Sequence, residues 1–247
     1  MKDVRSNYFL MAVAAIALAA AGCATEMAEA PAVEVVMDPD APVTEAPPVY
    51  GVGSNWTTDH TVNGETERIT STIVEKREID GRVVDVHSYS IPESSPGFVC
   101  DGANGAMVDA VTHNWKGCLK DGEILAYLSP HNGQYSWPIE VGKSWRAERT
   151  WTDNVLHPDY SGPGWEEYAV VAWEEVTVPA GTFMAYKVVR TKTSWETTSE
   201  DSSITWYAPE IGGFVKGIWV RGKKDGYGPA EHMWELVSRD PQYPSES

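Results

Sequence analysis

Two runs rich in β-branched and aromatic residues, together spanning Val176 to Val189, are separated by Pro179-Ala180-Gly181. Proline presets φ for the first turn position, and Gly181 takes the positive φ that closes a short hairpin with a bulge. The chain is therefore expected to go out, turn and come straight back. The same punctuation recurs. Asn63-Gly64 separates an expected strand at 56–62 from one that starts at Glu65, Asp80-Gly81 leads into a strand at 82–91, and Lys120-Asp121-Gly122-Glu123 precedes one at 124–128. Further strands are expected around 145–151, 165–173, 192–200, 204–207, 214–221 and 232–238, with Pro209 and Gly212 turning the chain before Phe214.

After Tyr50 no ten-residue stretch carries a period of 3.6. The fold class is thus all-β: a single antiparallel, strongly curled sheet or open β-barrel over residues 50–240, with a disordered N-terminal tether. Residues 92–115 read as a long surface loop and 153–164 as a Pro- and Gly-rich insertion. Val52-Gly53-Ser54-Asn55-Trp56 matches Val141-Gly142-Lys143-Ser144-Trp145, and each is followed by a hairpin, at Asp80-Gly81 and Ala180-Gly181. Two matched halves suggest one curled sheet, with Gly81 and Gly181 at equivalent corners.

The start of the chain is an export signal over 1–22: Lys2 and Arg5, then an apolar run of 14 residues from Tyr8 to Ala21, too short for a membrane span. Leu18-Ala19-Ala20-Ala21-Gly22-Cys23 resembles the lipobox of bacterial lipoproteins, with Ala20 where that motif most often has Leu. The resemblance implies cleavage before Cys23 and lipidation of it; cleavage after an alanine, giving a soluble protein, is the competing reading. Ala24 in place of Asp after the cysteine favours the outer membrane, with the domain in the periplasm. Residues 23–49 carry six acidic residues, five prolines and no Lys or Arg. Such a segment reads as a tether, with a reach of about 25 to 30 Å if flexible. A tail at 241–247 is expected to be disordered.

Two further cysteines remain, Cys100 and Cys118, and export puts them in an oxidising space. A disulfide between them is the expected pairing, stabilising by about 3 kcal/mol in the chain-entropy picture. A metal pair or a reactive thiol competes, against the absence of CxxC spacing and of an adjacent His.

A net charge of −17 argues against nucleic acid as a partner and against direct docking on anionic lipid. No Gly-x-Ser-x-Gly elbow is present, and His232 with Glu235 lacks the second His of a zincin helix, so no catalytic residue, metal or cofactor is assigned. Glu166-Glu167 and Glu174-Glu175 are neighbours on strands and point to opposite faces, so neither pair is an acid/base dyad. The remaining feature is aromatic: of 11 Trp, eight lie between Trp137 and Trp219. They are read mainly as core, with Trp151, Tyr160 and Trp165, flanking the insertion, as the better candidates for a pocket.

Three motifs taken together, Trp137-Pro138-Ile139 with Val141-Gly142 and Trp145, Val178-Pro179-Ala180-Gly181-Thr182-Phe183 with Ala185, and Trp206-Tyr207-Ala208-Pro209 with Gly212, Val215 and Lys216, resemble a family of exported bacterial domains of unknown function labelled TapB-like. The resemblance covers about a third of the chain, implies an open antiparallel barrel or curled sheet, and brings no catalytic residues. The expectation is therefore a lipid-anchored, non-catalytic binding module for a hydrophobic or glycan ligand or an envelope protein. A structural accessory subunit of an envelope complex is the alternative, and an uncharacterised hydrolase a more distant one.

Overall fold

The computed structural model describes residues 34–90, 102–154, 161–194, 202–221 and 230–244. Among these residues the chain forms β1 (Asn55–Val62), β2 (Glu65–Ile79), β3 (Arg82–Ser90), β4 (Gly105–Asp109), β5 (Trp115–Lys120), β6 (Glu123–Ser129), β7 (Ser144–Asp153), β8 (Gly162–Val178), β9 (Gly181–Thr193), β10 (Ser202–Ala208), β11 (Gly213–Arg221) and β12 (Ala230–Asp240). Each strand pairs antiparallel with its neighbours in sequence, and β1 pairs with β12 from Asn55↔Asp240 to Val62↔His232. The sheet is therefore a closed barrel, one step beyond the curled or open form expected, and closure removes every free edge.

The tight turns are where sequence places them. Asn63-Gly64, Asp80-Gly81 and Asp121-Gly122 each have two residues with positive φ, at 51° and 89°, 52° and 69°, and 51° and 87°. That is the I′ geometry whose twist suits an antiparallel pair. Val178 pairs directly with Gly181, so Pro179-Ala180 is a two-residue connection rather than the longer bulged turn expected.

One expected loop is wrong. The stretch 92–115 contains β4 and leads into β5, although residues 91–101 lie outside the described residues. Gly105, at the start of β4, looks like loop punctuation but serves close packing. A Cβ on it would sit 2.5 Å from the His87 carbonyl oxygen, so only glycine lets β3 and β4 approach there.

The two halves, β1–β6 and β7–β12, are built alike at their entries. Gly53 N–H donates to the Ile73 carbonyl (2.8 Å) and Ile73 N–H to the Ser54 carbonyl (2.9 Å); Gly142 N–H donates to the Val170 carbonyl (2.9 Å) and Val170 N–H to the Lys143 carbonyl (2.9 Å). A β-bulge follows at once in both, between Ile73 and Glu75 and between Val170 and Val171-Ala172. Bulges bend the strand that carries them, so the long strands β2 and β8 turn the sheet at equivalent places.

A barrel of twelve strands is wider than one its own short side chains can fill. Bulk comes from aromatic residues and from segments seated at one end. Tyr135 and Trp137, in the β6–β7 connection, pack with Tyr207, Phe214, Tyr186, Tyr168 and Ile139. The tip of the β8–β9 hairpin closes over the same end of the strands: Ala180 N–H donates to the Leu236 carbonyl on β12 (3.0 Å), and Val176, Val178, Ile211, Val215 and Leu236 form one apolar cluster.

Residues 34–49, part of the expected 23–49 tether, are not free. From residue 34 the chain is fastened to the barrel: Val36 N–H donates to the carbonyl of Val171 (2.8 Å), Thr44 and Ile139 exchange backbone bonds (3.0 and 2.9 Å), and the Tyr186 hydroxyl donates to the Pro42 carbonyl. Val171 is the bulged residue of β8, so this strap takes up a carbonyl that the ladder leaves over. Gly212, at φ 67°, shows how close the fit is: a Cβ there would lie 2.3 Å from Pro48 Cγ and 2.5 Å from the Tyr50 hydroxyl. The tail is likewise held further than expected, since Gly51 N–H and the Ser54 hydroxyl donate to the Gln242 carbonyl (2.6 and 3.0 Å).

Candidate functional site

Registers between strands decide which side chains share the barrel interior, because cross-strand partners point to the same face. One line runs His60 (β1), Trp234 (β12), Gly217 (β11), Thr205 (β10), Val188 (β9), Val170 (β8). The next runs Val62, His232, Trp219, Ser203, Arg190, Tyr168 and Trp145 on β7. Thr205, Val188 and Val170 are buried, whereas residues of the other face, Lys216 with Glu235 (2.7 Å) and Lys187 with Glu174 (3.6 Å), are partly exposed ion pairs. The two lines therefore face inward.

On and just beyond the second line lies a charged cluster. The carboxylate of Glu166 on β8 receives Arg149 Nη2 from β7 (2.6 Å) and Arg190 Nη1 from β9 (3.0 Å), and the Tyr168 hydroxyl donates to it. The side chains of Arg149, Glu166 and Arg190 are only 3, 6 and 13% exposed. Arg149 Nη1 also donates to the Asn132 carbonyl (2.9 Å), which ties the cluster to the β6–β7 connection. Burial, then the Glu166 charge, raises the Tyr168 phenol, so it stays a protonated donor.

Across the interior His60 Nδ1 and His232 Nε2 are 3.1 Å apart, and the Thr58 hydroxyl meets His60 Nε2 at 2.6 Å. Burial lowers both imidazoles, His60 to about 3 with the His232 charge as the second cause. The pair is thus neutral at pH 7. Trp234 lies over Gly217 so closely that a Cβ at 217 would fall 2.0 Å from the indole, and Trp145 stacks on Tyr168 at 5.6 Å.

The sequence candidates are placed differently. Trp151 points inward and stacks on Trp115 at 6.0 Å. Trp165 pairs with Glu148 and therefore lies on the opposite face, under the Arg146 guanidinium at 3.9 Å from the ring centroid. Trp151 and Trp165 do not share a pocket, because neighbouring register positions alternate faces; Tyr160, with Cys23 and Cys100, lies outside the described residues. Cys118 is buried and disulfide-bonded. Of the turn residues, Gly81, Gly181 and Gly212 have positive φ, and Pro209 precedes Gly212 in its turn.

Residues missed in sequence are Arg149, Glu166, Arg190 and His60. One signal was present: of the pair Glu166-Glu167, one member had to face inward, and it is Glu166, with Glu167 half-exposed beside Lys192 and Arg146. Likewise His232 faces inward and Glu235 outward. Among the described residues no group of three or more His, Cys, Asp or Glu is arranged to hold a metal ion.

No family model matches the chain, so the TapB-like resemblance stays one of short motifs, and no curated protein matches either. Solved structures similar to it include an exported protein with YmcC-like fold from Bacteroides fragilis (13% identity, 79% of this chain and 99% of that one, TM-score 0.42). A lipoprotein from Parabacteroides distasonis is 14% identical over 80% of this chain and 99% of its own, with a TM-score of 0.43. The hypothetical lipoprotein YmcC from Escherichia coli is 12% identical over 79% and 87%, with a TM-score of 0.36. These likenesses are distant, and the reading of the site rests on this chain's own residues.

Proposed function

We propose that this chain is an exported envelope lipoprotein, anchored through Cys23 at the outer membrane, whose barrel interior binds a ligand in the periplasm without covalent chemistry. The observation that carries the reading is the inward-facing belt in which Arg149, Glu166, Arg190, His60 and His232 sit among Trp145, Tyr168, Trp219 and Trp234. A scaffold needing only a packed core gains little from burying two guanidinium groups, since an apolar replacement of similar volume is commonly as stable. Binding sites, in contrast, combine aromatic walls with a few placed polar groups.

The assignment as non-catalytic rests on the way these groups are spent. Glu166 is held between two cations and the histidines are held neutral, which leaves neither a base poised near pH 7 nor a nucleophile beside it. Cys100 is the partner we assign to the disulfide of Cys118. Because the strap is fastened to the barrel from Val36 onward, the link to the anchor is confined to the residues before it.

Native mass spectrometry of the full chain, released from membranes in mild detergent, tests the reading. A bound small molecule lost on unfolding is expected. Repeated preparations with the mass of the lipidated chain alone, or with one stoichiometric protein partner, would favour the accessory-subunit alternative.

A further inference from the structure

Arg190 is held by one edge and leaves the other unused. Its Nη1 donates to Glu166 Oε1 at 3.0 Å, and among the described residues its Nε and Nη2 have no hydrogen-bond acceptor. Those two nitrogens form the side-on edge of the guanidinium, the edge whose parallel N–H groups match a carboxylate or a phosphate bidentately. The bonds that Glu166 accepts do not involve them: among the described residues its Oε1 receives only Arg190 Nη1. Its second oxygen already receives Arg149 Nη2 and the Tyr168 hydroxyl. The carboxylate therefore orients Arg190 and does not saturate it.

The surroundings suit a ligand. Arg190 lies in register with Ser203 on β10 and Tyr168 on β8, and the same inward line continues to Trp219 and His232. Register puts Ser203 directly across from Arg190 on the same face, on the strand that flanks β9 on the side away from Glu166. Trp219, which is in register with Ser203 and only partly buried, supplies apolar surface. At 13% exposure the Arg190 side chain is largely withdrawn from water, so an anion meeting it gains more than it would at the surface. The net charge of −17 makes this inward cation unusual in its own molecule and disfavours surface capture of the same anion.

We propose that Arg190 and Ser203 form the receiving point for an anionic group, a carboxylate or a phosphate, on the ligand of the barrel. This rests on the reading of the interior as a binding site and adds the charge class of what is bound. The apolar and aromatic neighbours assign the rest of the ligand to an amphiphile.

Isothermal titration of the full chain in digitonin, with octyl phosphate, octanoate, octyl glucoside and inorganic phosphate as probes, decides it. Octyl phosphate or octanoate should bind more tightly than octyl glucoside. Arg190→Gln should weaken both anionic probes by about tenfold or more while leaving octyl glucoside unchanged, and Arg190→Lys should fall between. Binding of inorganic phosphate alone, as tight as octyl phosphate, would keep the anion site and remove the amphiphile. Anionic probes that bind no better than octyl glucoside, or that ignore Arg190→Gln, overturn the anion site and leave the binding reading standing. Failure of every probe in wild type overturns both. Circular dichroism and a thermal melt accompany each variant. If Arg190→Gln does not fold, Ser203→Val, which lies outside the ion cluster, carries the test with the same expected selectivity for the anionic probes.

Discussion

Ile73 and Val170 hold the same place in the two halves of the barrel. Each is clasped by a backbone hydrogen-bond pair to the segment that enters a long hairpin, through Gly53 and Ser54 in one half and Gly142 and Lys143 in the other, and each is followed by a bulge. The repeat read in Val52–Trp56 and Val141–Trp145 is thus a repeat of backbone function. Gly53 and Gly142 have φ of 95° and 90°, which explains why glycine recurs there. The halves differ in what they turn inward: on their first strands, His60 is four residues after Trp56 and Arg149 is four residues after Trp145. One half thereby contributes a neutral imidazole and the other a fixed cation.

Gly181→Val should lower stability by about 1 to 3 kcal/mol. Gly181 has φ 138°, which a β-branched residue adopts only with strain, and an added Cβ would meet the Phe183 ring at 3.3 Å. A thermal melt checks it, and an unshifted midpoint would remove the hairpin tip from the elements that hold the barrel shut.

Gly212→Ala should free the strap while the barrel stays folded. The new methyl would collide with Pro48 and with the Tyr50 hydroxyl, which donates to the Ile211 carbonyl at 2.8 Å. Limited proteolysis is expected to cut between residues 34 and 49 faster in this variant; equal rates would mean that the strap shifts without detaching.

Glu166→Gln removes a carboxylate that Arg149 and Arg190 share. Breaking a buried ion pair from one side leaves charge uncompensated and costs about 3 kcal/mol or more. Urea unfolding gives the figure, and Glu167→Gln, on the outer face, should change stability by no more than about 0.5 kcal/mol.

Acid should destabilise the fold well before its carboxylates titrate. Burial is the largest cause that lowers His60 to about 3, and His87 and His113 to about 4. An unfolded histidine titrates near 6.5, so between about pH 6.5 and 4 the unfolded state binds protons that the folded state refuses. Stability is then greatest above about 6.5 and falls as pH drops through that window, by up to about 1.4 kcal/mol per pH unit for each histidine. Urea midpoints at pH 7.5, 6 and 5 should show the loss, with a shallower slope in His60→Gln. A flat profile, or an unchanged slope in the variant, would contradict the buried neutral pair.

Legibility followed the range of the interaction. Turns and strands were readable because Asn63-Gly64, Asp80-Gly81 and Asp121-Gly122 act through their own backbone. The exception was β4, where Gly105, demanded by close approach to the His87 carbonyl, looks like a loop residue. The strap is hidden for a related reason: its composition is that of a spacer, yet it is held by acceptors on Val171 and Ile139 that sequence neighbours do not reveal. Of the site, alternation along β8 told that Glu166 and Glu167 part company, but not which one turns inward.

The sequence by itself determined an all-β, antiparallel, twofold-repeated chain with its hairpin corners, because those properties depend on φ preferences and on a period of two. The tertiary structure alone decided that the sheet closes through β1 and β12, and that Arg149, Glu166 and Arg190 converge inside it. Closure and convergence depend on register summed over twelve strands, and a shift of one residue in any of them would send the same side chains to the opposite face.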